Sequence, residues 1–213
     1  YALRACGLTY KVDYDVYYTH GPDSGVGNGL GALATSALLG GYDVLLYTSG
    51  DFYRYTLGWG DWEKDPSPDI QVLNSWFNLG GKKAFFTGDD LASDISASVL
   101  GQNLLSNYFG IQINDFDLRP NVDRQVAPLV RTTGGLNIFP SVDRWIAYGG
   151  CLEINTFDAV QPTGPGIRLA EFCDENGNAG AYPYAAAVYH YNDTTDTEVV
   201  YLPYDFHYIY NAP

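Results

Sequence analysis

Tyr42-Asp-Val-Leu-Leu-Tyr-Thr-Ser-Gly-Asp51 and Lys82-Lys-Ala-Phe-Phe-Thr-Gly-Asp-Asp90 are two versions of one phrase. In each, a short apolar run (residues 44–47, then 84–86) stops abruptly on one or two small polar residues, a glycine and an aspartate. Uninterrupted apolar runs of this length suit strands covered on both faces, as in a parallel sheet. The segment between them carries a helix signature. Ser67-Pro68-Asp69 supplies a cap, a proline at the first helical position and an acid in the first turn. Ile70, Leu73, Trp76 and Phe77 fall on one helical face, and Gly80-Gly81 ends it. Strand, helix, strand with short turns predicts a parallel sheet with helices packed on it.

Outward from this centre the same logic continues. Leu30, Leu33, Ala34, Ala37 and Leu38 lie on one helical face. A helical stretch over residues 91–109, broken near Ser98, closes at Gly110. Residues 12–18 alternate and are rich in Val and Tyr, which predicts a strand. Residues 111–165 give weaker patterning, with short strands and turns. Strands are expected again at 167–172, 181–191 and 197–202, the first two joined by the polar turn Asp174-Glu-Asn-Gly-Asn178. That turn resembles the start of a calcium loop, but Ala179 and Ala185 stand where such a loop needs glycine and glutamate. A tight Asn-Gly turn is preferred. Tyr1-Ala-Leu-Arg-Ala-Cys6-Gly7 reads as the end of a helix, so a first strand is expected upstream of Tyr1. Without repeats, low-complexity tracts or a dividing linker, residues 1–213 are read as a single α/β domain, incomplete at its N-terminal side.

The chain has 213 residues, with 11 Lys+Arg against 25 Asp+Glu and a net charge of −14. Nucleic acid is thereby excluded as a partner, since phosphate binding needs an excess of cations. No apolar stretch reaches the length of about 18 residues that membrane insertion by a helix requires. Methionine is absent, tyrosine numbers 19, and the only lysines are Lys11, Lys64, Lys82 and Lys83. The missing initiator implies a processed product or fragment. An acidic, aromatic-rich, lysine-poor composition suggests a secreted, extracellular or cell-surface bacterial protein.

Four constellations carry chemistry. Asp51, Asp89 and Asp90 follow the two apolar runs, and the crevice beyond the carboxyl ends of parallel strands is the usual ligand site. Converging carboxylates there would hold Ca2+ or Mg2+; the alternative use of Asp89 or Asp90 is to cap the next helix. The long aromatic stretch 52–66, with Phe52, Tyr53, Trp59 and Trp62, is a candidate binding surface. Gly27-Asn-Gly29-Leu-Gly31-Ala32 offers a dinucleotide-like glycine pattern, against a flexible turn with close helix packing as the simpler explanation. Finally, Cys151 and Cys173 are expected to form a disulfide, leaving Cys6 buried or paired with a missing segment. The histidines are His20, His190 and His207.

Tyr42-Asp-Val-Leu-Leu-Tyr47, the helix leading into Gly80-Gly-Lys-Lys-Ala-Phe-Phe-Thr-Gly88, and Glu198-Val-Val-Tyr-Leu-Pro-Tyr204 together resemble the class I glutamine amidotransferase-like fold, in particular its trehalose-utilisation-like branch. The resemblance implies a flavodoxin-like three-layer sandwich, a mainly parallel sheet, and a first strand upstream of Tyr1. It also implies a cysteine in the sharp turn after the strand at 84–86. Here that turn is Gly88-Asp89-Asp90, without a thiol or hydroxyl nucleophile, and His207, which echoes the late catalytic histidine, has nothing to activate. The expectation is therefore a non-catalytic structural or binding domain of a larger secreted protein, without a cofactor. Its partners would be other domains or chains of that protein. The alternative is a metal-assisted hydrolase using Asp51, Asp89 and Asp90.

Overall fold

A computed structural model describes residues 2–19, 29–50, 56–57, 68–123, 127–147 and 157–211. In chain order the elements are α1 (Ala2–Ala5), α2 (Gly29–Leu33), α3 (Ser36–Gly40), β1 (Val44–Thr48), α4 (Pro68–Phe77), β2 (Lys83–Thr87), α5 (Leu91–Ser96), α6 (Val99–Leu104) and a π-helical turn (Leu105–Phe109). Then come β3 (Ile111–Asp115), β4 (Leu129–Thr132), β5 (Arg144–Ala147), β6 (Ala159–Pro162), β7 (Ile167–Phe172), β8 (Ala185–Asn192), β9 (Thr197–Leu202) and β10 (Ile209–Asn211).

Eight strands form one sheet in the order β1-β2-β9-β8-β7-β4-β5-β10, while β3 and β6 pair separately. The fold is α/β, as expected, but the large sheet is mixed rather than mainly parallel. Only β1, β2 and β9 run parallel; every later neighbour is antiparallel. The physical reason lies in the connections. A parallel pair needs a crossover long enough for a helix, which α4 supplies between β1 and β2. The link from Asn192 to Thr197 is too short for that and permits only a hairpin.

The parallel trio is in register: Val44, Lys83 and Glu198 share one row, and Thr48, Thr87 and Leu202 another. Their carboxyl ends are therefore level. β1 is not the doubly covered strand that its apolar run predicts. It lies at the sheet edge, with Val44 57% and Leu46 52% exposed, and among the described residues no strand flanks its far side. Residues 12–18 are not a strand either. An isolated Tyr10–Tyr14 bridge is the extent of their pairing, and Val12 is 78% exposed. Their alternation lacks a neighbouring ladder, without which extended chain gains nothing over solvated turn. The segment is tethered to β1 through Tyr42, whose hydroxyl donates to Asp15 at 2.6 Å and contacts the Tyr17 hydroxyl at 3.2 Å.

Two cores sandwich the sheet. On one face Ala84, Phe86, Val199 and Tyr201 meet Ile70, Leu73, Trp76 and Phe77 of α4 and Phe109 of the π-turn. The predicted apolar face of α4 is thus fully buried. On the other, Val130, Trp145, Phe172, Leu202 and Tyr204 gather around Phe157. The helical region after β2 breaks where the sequence indicates: Ser98 accepts the Gly101 N–H at 2.9 Å and starts α6, and Gly110 ends the π-turn at φ +63°. The predicted helix over 30–38 is divided, because Thr35 accepts the Leu38 N–H and caps a new helix. In α2, Gly31 lies so close to α4 that a Cβ there would come 2.4 Å from the Pro68 carbonyl carbon. Close packing therefore accounts for the last glycine of the dinucleotide-like pattern; residues 20–28 lie outside the described ones.

Candidate functional site at the carboxyl ends of the parallel strands

Three chain reversals meet beyond Thr48, Thr87 and Leu202. After β2 the backbone turns at Gly88, where a Cβ would lie 1.7 Å from Ser49 Oγ. Glycine is needed there so that the turns following β1 and β2 can touch. The Ser49 hydroxyl is buried without a hydrogen-bond partner among the described residues. Asp89, 1% exposed, donates its N–H to the Gly50 carbonyl and accepts the Asp205 N–H on Oδ1, both at 3.2 Å. It holds the three turns together. Asp90 is left-handed (φ +51°) at the N-cap of α5, a sharp strand-to-helix elbow, yet its side chain makes no capping bond.

The cap comes from elsewhere. Asp158 is fully buried and accepts the Ala92 and Ser93 N–H groups on Oδ2 at 2.8 and 3.1 Å, and the Ser93 hydroxyl on Oδ1. Tyr201 donates to it at 3.4 Å. Burial pushes its pKa up to about 7, against the pull of these donors. One turn on, Asp94 accepts the Thr56 N–H, the Thr56 hydroxyl and the Leu57 N–H within 3.0 Å. Through it α5 pins the one described piece of the aromatic stretch. Asp69 accepts the Gly31 N–H, joining α2 to α4.

After β9 the chain presents a dyad. Asp205, 4% exposed, accepts the His207 N–H at 2.9 Å and lies 2.8 Å from His207 Nδ1, while the imidazole itself is largely exposed. Thr48 Oγ1 donates to the second Asp205 oxygen at 3.4 Å, and Thr87 Oγ1 bridges the Tyr204 carbonyl and the Phe206 N–H. An imidazole oriented by a buried carboxylate is a general base in form. By contrast, His190 is packed under Gly110 with Nδ1 3.0 Å from the Tyr108 carbonyl, and burial pushes its pKa down. It is a core residue.

Of the residues singled out from sequence, Asp89 and Asp90 sit together at the strand ends. Asp51, the aromatic candidates Phe52, Tyr53, Trp59 and Trp62, and His20 lie outside the described residues. Cys173 is a buried free thiol and Cys6 an exposed one, so of the two expectations for Cys6 burial is not met; Cys151 lies outside the described residues. Among the described residues no group of three or more His, Cys, Asp or Glu is arranged to hold a metal ion. The Asp174–Asn178 segment is the tight turn preferred from sequence: Asp174 Oδ1 accepts the Asn176 and Asn178 N–H groups, with Gly177 at φ +82°. Sequence reading missed Asp94, Asp158 and Asp205. Asp205 was within reach, because the strand-end rule applies to the third parallel strand as well as the first two. Asp158 and Asp94 act across 38 to 66 residues and leave no local signal.

No protein-family model and no curated protein matches the chain. Among solved structures it is similar to the cold-adapted β-galactosidase of Rahnella sp. R3, with a TM-score of 0.45 at 11% identity over 81% of this chain and 21% of that one. It is also similar to the β-galactosidase of Bacillus circulans sp. alkalophilus, with a TM-score of 0.44 at 11% identity over 76% and 20% respectively. The GH42 β-galactosidase Gan42B gives a TM-score of 0.45 at 10% identity over 77% and 19%. The chain thus spans about a fifth of the length of each. No shared activity follows from likeness at this level.

Proposed function

We propose that the chain is a non-catalytic structural or binding domain of a larger secreted or cell-surface protein, in contact with other domains or chains of that protein. The observation that supports this reading is the use made of the strand-end carboxylates. Asp89, Asp94 and Asp158 accept backbone N–H groups from segments distant in sequence, and Asp205 accepts the distant Thr48 hydroxyl beside the neighbouring His207 N–H. Such acceptors stabilise a scaffold and leave less of each carboxylate for a ligand. On this reading the amidotransferase-like, flavodoxin-like likeness is confined to β1, β2 and β9 with α4, and the antiparallel strands are an extension of it. The elbow after β2 has a carboxylate where that family has its thiol. Trp59 and Trp62 are the contact residues of choice, and replacing both by alanine should weaken association with the rest of the parent protein.

The alternative, a metal-assisted hydrolase, would use Asp51, which lies outside the described residues, with Asp89 and Asp90; one observation favours hydrolytic chemistry there, the Asp205–His207 dyad joined to Asp89 at the same end of the sheet. Thermal unfolding with and without millimolar Ca2+ or Mg2+ separates the readings. A scaffold unfolds at the same temperature in both, and Asp89→Asn lowers that temperature with or without the ion. A metal-dependent rise that disappears in Asp89→Asn would overturn the scaffold reading.

A further inference from the structure

The antiparallel half holds a second feature, independent of the strand ends. Arg131 on β4 and Arg144 on β5 are directly opposite each other in register. Like charges so placed repel, and natural sheets normally pair opposite signs at such positions. The arrangement is more pointed in a chain with 25 acids and 11 cations. Lys82, Lys83, Arg119 and Arg168 each have an acidic partner within 4.0 Å, whereas neither Arg131 nor Arg144 forms an ion pair among the described residues. Even Glu171, across from Arg131 on β7, is engaged by Arg168 instead.

Both arginines border a cavity of about 220 Å³. Its lining includes the buried Leu129 and Cys173, and one side is the Asp174–Asn178 turn, where Gly177 faces Leu129. Asp143 shares the lining and offsets one of the two arginine charges, while Glu171 and Asp174 act on the Cys173 thiol from beside it. Two arginines opposite each other in register on the lining of one small cavity suit an oxyanion, since a guanidinium can donate two parallel N–H groups to a carboxylate or phosphate. The volume is below that of most drug-sized ligand sites, which limits the occupant to a few heavy atoms or the charged end of something larger.

We propose that this cavity binds a small oxyanion, a phosphate or carboxylate group, between Arg131 and Arg144. Titration calorimetry of the full chain at low ionic strength, with inorganic phosphate in one arm and malonate in the other, tests it. Saturable binding is expected in at least one arm, and the arm that responds identifies the source of the anion. Arg131→Gln and Arg144→Gln should each weaken it by roughly tenfold, and the double variant should abolish it, as expected for charge-assisted hydrogen bonds. Lys83→Gln, which removes an exposed charge paired with Glu198 in the parallel half, should leave the affinity unchanged. Circular dichroism of each variant confirms folding. Absence of saturable binding of both anions up to roughly 10 mM, or equal weakening by Lys83→Gln, would overturn the proposal.

Discussion

The two halves of the large sheet treat charge in opposite ways. In the parallel half, β1-β2-β9 with its helices, acids are drawn inside: Asp69, Asp89, Asp90, Asp94, Asp158 and Asp205 are all at most 5% exposed. In the antiparallel half, β7-β4-β5-β10, Arg131, Asp143 and Arg144 stay at the surface, and the two arginines have no ion pair among the described residues. A parallel sheet with level strand ends opens a crevice full of helix N-termini and turn N–H groups, which carboxylates satisfy. Antiparallel hairpins satisfy their own backbone groups in the ladder and create no such demand. Burying an acid is thus a consequence of topology before it is a sign of catalysis.

The largest expected effect tests whether the halves are one cooperative unit. Trp76 lies at 0% exposure in the helix-covered core and donates to the Tyr42 carbonyl at 3.0 Å. Trp145 lies at 2% in the other core and donates to the Tyr204 hydroxyl at 2.9 Å. Truncating either to alanine should cost about 3–5 kcal/mol in urea unfolding. Because β9 contributes Tyr201 to one core and Leu202 and Tyr204 follow into the other, both variants should shift a single transition. Two separate transitions, each sensitive to one tryptophan, would split the domain at β9.

Next in size is a pH effect confined to the parallel half. Asp158 has a pKa raised to about 7 by burial, from an ordinary value of 3.8. Between these values the folded chain retains a proton that the unfolded chain has released, so stability falls as pH rises from about 4 to 7, by up to about 1.4 kcal/mol per unit. Below that window both states are protonated, and above it both are ionised. Asparagine keeps the acceptor for Ala92 and Ser93 but cannot ionise. Subtracting the Asp158→Asn stability profile from the parent profile should leave this slope alone; a flat difference would show that Asp158 is not the group responsible.

The same contrast explains what the amino-acid sequence made legible. The parallel half announces itself locally. The run at 44–47, the Ser67-Pro68-Asp69 start and the Ser98 break are each decided within a few residues, and each element forms close to where it is expected. Even there, β1 is more exposed than its composition suggests, because an apolar run reports a preference for cover and not who provides it. The antiparallel half is set by partners far apart: β4 lies between β5 and β7, and β10 closes on β5. Pairings of that kind have no local signature, so residues 111–165 read weakly. The candidate site divides the same way. Asp89 and Asp90 are visible because they abut strands, whereas Asp158 serves a helix that begins 67 positions earlier, at Leu91, and nothing beside it in sequence foretells that.

The smallest expected effect draws the contrast most sharply. Arg144 is exposed and opposes Arg131, with no ion pair to lose among the described residues. Replacing it by glutamine should change stability by no more than about 0.5 kcal/mol, and in the stabilising direction, because a like-charge contact disappears. Amide replacements of Asp89 or Asp94 remove a charge as well, yet each weakens hydrogen bonds that join separate segments and should destabilise. Thermal unfolding of the three variants in one buffer makes the comparison direct. If Arg144→Gln destabilised as much as the aspartate variants, its charge would be part of the scaffold. The division between buried acids that build the parallel half and rim cations that the antiparallel half can spare would then fail.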